Sequence, residues 1–117
     1  MISKVFNSFR HAINGFRTVL NEEHNFKIEI VASALVILSI LFFQFSLIET
    51  GLCIVAVTIV LSAEIINTAV EDLCNKVEPG HDPIIGKIKD TSGAFVLVGA
   101  LGAFTLGCLV FLHHFLL

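Results

Sequence analysis

Residues Leu52–Val77 read LCIVAVTIVLSAEIINTAVEDLCNKV, a helix-length apolar run interrupted by Glu64, Asn67 and Glu71. An apolar segment of about 20 residues suffices to cross the hydrocarbon of a bilayer, so this stretch reads as a membrane span. A carboxylate at the centre of such a helix costs about 2.5–3.5 kcal/mol on insertion scales, which makes each acidic residue in it a matter to explain. At about 100° per residue, Glu71 falls within roughly 20° of Glu64, and Asn67 lies about 60° away on the same side. The three side chains therefore form one polar stripe. Along the axis the two carboxylates are about 10 Å apart, too far to share a proton and well placed for separate roles at different depths.

Two further apolar runs flank this one. Residues 28–48 are apolar apart from Glu29, Gln44 and small hydroxyls and read as a first span, followed by a short turn containing Glu49 and Gly51. The central span is set at 52–77. Glu78-Pro79-Gly80-His81-Asp82-Pro83 holds both prolines, so 78–90 is expected to be a loop. A third span is placed at 91–117, where Gly93, Gly99, Gly102 and Gly107 offer close helix approach. Ahead of the first span, Ile2, Val5, Phe6, Phe9, Ile13, Phe16 and Leu20 recur at helical spacing, with Lys4, Asn7, Arg10, Asn14 and Arg17 on the other side. Residues 1–26 are thus expected to form an amphipathic helix and turn lying on the bilayer surface. The fold class is all-α: a surface helix plus three transmembrane helices in a single domain of 117 residues.

Composition supports this and excludes other classes. Hydrophobic side chains make up 56% of the chain, more than a soluble core of this size can hide. The net charge of -3, with no continuous basic stripe, speaks against nucleic acid as a partner. Cys53, Cys74 and Cys108 are scattered through apolar runs without paired spacing and read as small buried hydrophobes. Lys4, Arg10 and Arg17 interrupt the first twenty residues, so no cleavable signal segment is expected. Lys4, Arg10, Arg17 and Lys27 precede the first span, and Lys76, Lys87 and Lys89 lie between the second and third. All seven fall on one side, which puts the N-terminus and the second loop in the cytoplasm and the C-terminus outside. His113 and His114, at that outer end, read as an interfacial pair without a carboxylate partner.

Two acids and an amide close to Glu22-Glu23 and to Lys87, Lys89 and Asp90 suit a metal-bound polyphosphate, since carboxylates hold Mg²⁺ and lysine meets phosphate. Gly80 and Gly86-Lys87 imitate a P-loop, but five residues separate the glycines and Ile88 stands where Ser or Thr is required, so no such loop is present. The competing class is a noncatalytic membrane module or a small cation-translocating oligomer with Glu64 and Glu71 lining a pore. A pore needs a wet stripe through the whole bilayer, and here the polar residues gather in one half of the central span.

The run Glu64-Ile65-Ile66-Asn67-Thr68-Ala69-Val70-Glu71, followed by Gly86-Lys87-Ile88-Lys89-Asp90, resembles the signature of the prokaryotic diacylglycerol kinase and undecaprenol kinase family. The resemblance extends to Phe9-Arg10-His11-Ala12, Gly15-Phe16-Arg17 and Glu23-His24-Asn25-Phe26-Lys27, and so covers almost the whole chain. It implies a homotrimer in the bacterial inner membrane, with composite sites between subunits, that transfers phosphate from ATP to a membrane lipid alcohol at the cytoplasmic leaflet. By this resemblance Glu64 is the general base on the lipid hydroxyl, and Asn67 orients Glu64 or the phosphoryl group. Glu23 and Glu71 hold Mg²⁺ with the ATP phosphates. Lys89, Asp90, His11 and Lys4 correspond to nucleotide-binding positions. Phosphoryl transfer needs chiefly alignment and charge neutralisation, so small size is no objection. The chain departs from the family at His81-Asp82, where a Tyr-His pair is common. It departs again at Gly80, where diacylglycerol-specific relatives often carry glutamate. Diacylglycerol and undecaprenol both stay open as the acceptor.

Overall fold

A computed structural model describes residues 1–117 as four helices: α1 (Ile2–Glu22), α2 (His24–Phe43), α3 (Leu47–Val77) and α4 (Pro83–Leu116). The last three are long and apolar enough to cross a membrane. Phe6, Phe9 and Ile13 of α1 and most large aliphatic side chains of α2 and α4 are exposed, the arrangement expected where lipid replaces water as the surrounding medium. The protein is a membrane protein with an N-terminal surface helix.

At a rise of 1.5 Å per residue, the 31 residues of α3 extend about 46 Å and the 34 of α4 about 51 Å, against roughly 30 Å of hydrocarbon. One end of each helix therefore projects beyond the bilayer core. The polar C-terminal turns of α3 and the N-terminal turns of α4 form that projection. Glu71 stands about 10 Å nearer that end of α3 than Glu64.

Local chemistry sets the helix boundaries. Glu23 is extended (φ -102°, ψ 113°) and breaks α1 from α2. Across the break, Phe16 and Phe26 meet edge to face at 5.3 Å, and Phe26 is completely enclosed. This contact fixes the angle between surface helix and first span. Gln44, in the left-handed region at φ 55°, ends α2. Ser46 begins α3 with a capping box: its side chain accepts from the Glu49 N–H at 3.2 Å, and the Glu49 carboxylate accepts from the Ser46 N–H at 3.0 Å. The outer turn is accordingly 44–46. The sequence reading placed it at Glu49 and Gly51, which are helical, and ran the first span on to Ile48.

The 78–90 loop is also shorter than expected. Asp82 caps α4 by accepting from the N–H groups of Ile84 (2.9 Å) and Ile85 (3.0 Å), and Pro83 takes the first helical position, where its missing N–H costs nothing. Gly86 through Asp90 are helical as a result.

α3 and α4 pack along each other, and Gly99 makes their approach possible: a Cβ there would stand 3.3 Å from Ile59 Cγ2 and 3.8 Å from Ala63 Cβ. Gly93, Gly102 and Gly107 have open space at the same position, so only one of the four glycines acts at an interface within the chain. α2 leans away from this pair. Between them lies a cavity of about 870 Å³, walled by small residues such as Ala32, Ser33, Ala56, Ala103 and Gly107.

Candidate active site

The polar stripe on α3 keeps the geometry its spacing dictates. Glu64, Asn67 and Thr68 are buried, with Glu64 only 4% exposed. Thr68 Oγ1 donates to the Glu64 carbonyl oxygen at 2.9 Å, so its hydroxyl is used by the helix and is not free for a ligand. Asn67 Nδ2 donates to Glu71 Oε1 at 3.4 Å, a long bond across one helical turn. Its Oδ1 is enclosed without a donor. An enclosed carbonyl oxygen with no partner is uncommon in a folded chain and marks a place where a cation or donor can be received.

The fold adds two carboxylates to the stripe. The α1–α2 break brings Glu23 close enough for its charge to act on Glu64, as that of Glu71 does. From α2, Glu29 comes within reach of the Glu64 charge, and its Oε2 is enclosed with no hydrogen-bond partner. Four acidic side chains from three elements thus face one region. No lysine or arginine pairs with any of them; the two ion-pair contacts in the chain, both to Glu49, lie at the other end of the bundle.

Glu29 was noted in the sequence as an interruption of an apolar run but received no role. The signal was present: an acidic residue inside a span needs the same explanation at position 29 as at position 64.

The remaining predicted site residues divide. Lys89 donates from Nζ to Asn75 Oδ1, and Asn75 is one turn beyond Glu71 on the same face of α3, so Lys89 is drawn beside the stripe. Asp90 is exposed on the following position of α4 with no side-chain partner. Lys4 and His11 are exposed on α1, seven residues apart and therefore on one face, without contact to the carboxylates.

The residues fit a hard divalent cation in donor type, since Glu23, Glu71 and the unpartnered Asn67 Oδ1 are all oxygen donors. No three acidic, histidine or cysteine side chains converge tightly enough to enclose an ion by themselves. A cation here would need further oxygens from a ligand, as a polyphosphate supplies.

Comparison with known proteins shows the family. Residues 10–111 match the family model described as prokaryotic diacylglycerol kinase. The undecaprenol kinase of Bacillus subtilis is 28% identical over 111 residues, covering 95% of this chain and 90% of that protein. The diacylglycerol kinase of Escherichia coli is 25% identical over 113 residues, covering 97% and 93%. That of Haemophilus influenzae is 25% identical over 97 residues, covering 83% and 82%. The chain belongs to the prokaryotic diacylglycerol kinase family and is a lipid kinase.

Proposed function

We propose that the chain transfers the terminal phosphoryl group of ATP, with Mg²⁺, to the hydroxyl of a membrane lipid alcohol, either diacylglycerol or undecaprenol, at the cytoplasmic leaflet of the inner membrane. What supports this reading is the unpaired carboxylate group built around Glu64 in the C-terminal half of α3; in it, that group stands where the hydrocarbon gives way to the headgroups. A lipid hydroxyl can reach that depth from below, and a soluble nucleotide can reach Glu71, Lys89 and Asp90 from above.

In this reading Glu64 accepts the proton of the lipid hydroxyl as its oxygen attacks phosphorus. Burial among apolar side chains keeps water, the competing nucleophile, away from it. Asn67 holds Glu71 through Nδ2 and turns Oδ1 towards the reacting groups. Glu23 and Glu71 would hold Mg²⁺, which supplies charge neutralisation for the phosphates when bound. Lys89, with Asp90, His11 and Lys4, meets the nucleotide. The seven-to-none division of Lys and Arg orients the chain with its N-terminus inside and α4 ending outside. A homotrimer is part of the proposal: only 11 of 117 residues are buried in one chain, and the small-residue cavity beside α2 suits a helix from another copy.

The test is phosphate transfer by purified protein in micelles, with labelled ATP, Mg²⁺ and each candidate lipid in turn. Transfer to one lipid at a rate at least tenfold above the other would name the acceptor. Transfer to neither, by protein that is folded by circular dichroism, would overturn the reading.

A further inference from the structure

At the end of the bundle remote from Glu64, about 22 Å away along α3, lies a second group of titratable side chains. Glu49, 5% exposed, places Oε1 at 2.8 Å from His113 Nδ1 and Oε2 at 2.8 Å from His114 Nδ1. The same Oε2 accepts from the Ser46 N–H. One carboxylate therefore joins the α2–α3 turn, the first turn of α3 and the last turn of α4. The expectation that the histidine pair lacks a carboxylate partner is corrected: Glu49 is distant in sequence and adjacent in space.

Beside this group, α2 and α4 touch only through side chains. Phe43 meets Phe115 at 4.9 Å, and the His114 ring lies 4.6 Å from Phe45. Phe43, Phe45, Phe111 and Phe115 form the wall of the cavity at this end. These ring contacts and the two bonds to Glu49 are what hold the end of α4 against the turn.

We propose that Glu49, His113 and His114 form a proton-dependent clasp that locks the end of α4 onto the α2–α3 turn, at the end of the bundle away from the active site. A neutral imidazole carries one N–H, and both rings here must carry it on Nδ1 to donate to Glu49. A second proton, on Nε2, fixes that arrangement and turns each contact into a charge-assisted bond. Imidazole is the side chain whose charge commonly changes between pH 5 and 8. The sign follows: acid tightens the clasp, and rising pH loosens it. The titratable groups facing it are Glu49 and Cys53 from α3 and the two histidines from α4. α2 and the turn contribute Gln44 and Ser46, which do not titrate.

Cys53 is a built-in reporter, one turn below Glu49, 7% exposed and lining the cavity. In the full chain with Cys74→Ala and Cys108→Ala, in micelles with EDTA, its labelling by a small uncharged maleimide is measured from about pH 5.5 to 7.5. The same is done with His113→Asn and His114→Asn added, because Asn keeps an N–H donor without titrating. Because the Glu49 charge also acts on the Cys53 thiol, each rate is first divided by the thiolate fraction of Cys53 in that same protein, taken from its titration by ultraviolet absorbance, and the two corrected rates are then compared as a ratio. The expected result is that the protection the histidines give falls about tenfold over this range, the difference between two charged and two neutral hydrogen bonds. A ratio independent of pH would overturn the proposal. Should the double variant not fold, the unfolding midpoint of the parent is compared with that of Glu49→Gln. The parent's midpoint should fall with rising pH by more than the variant's, and equal slopes would also overturn it.

Discussion

Asn67 divides its amide between two tasks, and that division orders the residues around it. Its N–H₂ steadies Glu71, while its oxygen stays enclosed and unpartnered next to Glu64. Replacing Glu64 by Gln keeps shape and removes the proton acceptor. Turnover should fall by about 10²- to 10⁴-fold with nucleotide binding retained, as measured by phosphate transfer and nucleotide titration. Normal turnover would dismiss the base. Glu23→Gln and Glu71→Gln each remove a negative oxygen ligand from a hard cation, so the Mg²⁺ concentration for half-maximal rate should rise several-fold. An unchanged Mg²⁺ titration would remove them from the metal site. Glu29 supplies a contrasting case, because its enclosed Oε2 has no partner and is a cost to the fold. Glu29→Leu should raise the unfolding midpoint and lower turnover together, the exchange expected where a strained group serves function. A lowered midpoint would show that the carboxylate is structural.

At the scale of elements, the decisive joints are short and local. The α1–α2 break places Glu23 beside α3 only while α1 keeps its angle, and the enclosed Phe26 against Phe16 is what keeps it. Phe26→Ala is expected to cost about 3–5 kcal/mol locally and to release α1. Limited proteolysis should then cut within the first 25 or so residues, as expected for a terminal element no longer docked, and turnover should fall through loss of Glu23. Protection equal to the parent's would mean that other contacts hold α1. The α3–α4 pair depends in the same way on Gly99, where an added Cβ would crowd Ile59.

For the whole molecule, the protruding ends of α3 and α4, the surface helix and all seven basic residues lie on one side of the bundle, and the Glu49 group lies on the other. In a variant lacking Cys53, Cys74 and Cys108, a cysteine placed at 78–82 should resist a membrane-impermeant thiol reagent applied to intact cells. A cysteine appended after Leu117 should react. The reverse pattern would put the carboxylate group out of reach of cellular ATP and end the kinase reading in its present orientation.

Sequence by itself determined the number of spans, the surface helix and the stripe on α3, because hydrophobicity and helical period are properties of neighbouring residues. Ser46 with Glu49, and Asp82 with Pro83, are local signals for two helix starts, although the expected turn at Glu49 and Gly51 and the expected loop over 78–90 pass over them. Tertiary structure alone decided which carboxylates join Glu64, which glycine matters and what Glu49 holds. Glu23 and Glu29 are more than thirty residues from Glu64, and Glu49 more than sixty from His113. Such pairings depend on how α1, α2 and α4 pack against α3, and no periodicity within a helix encodes that.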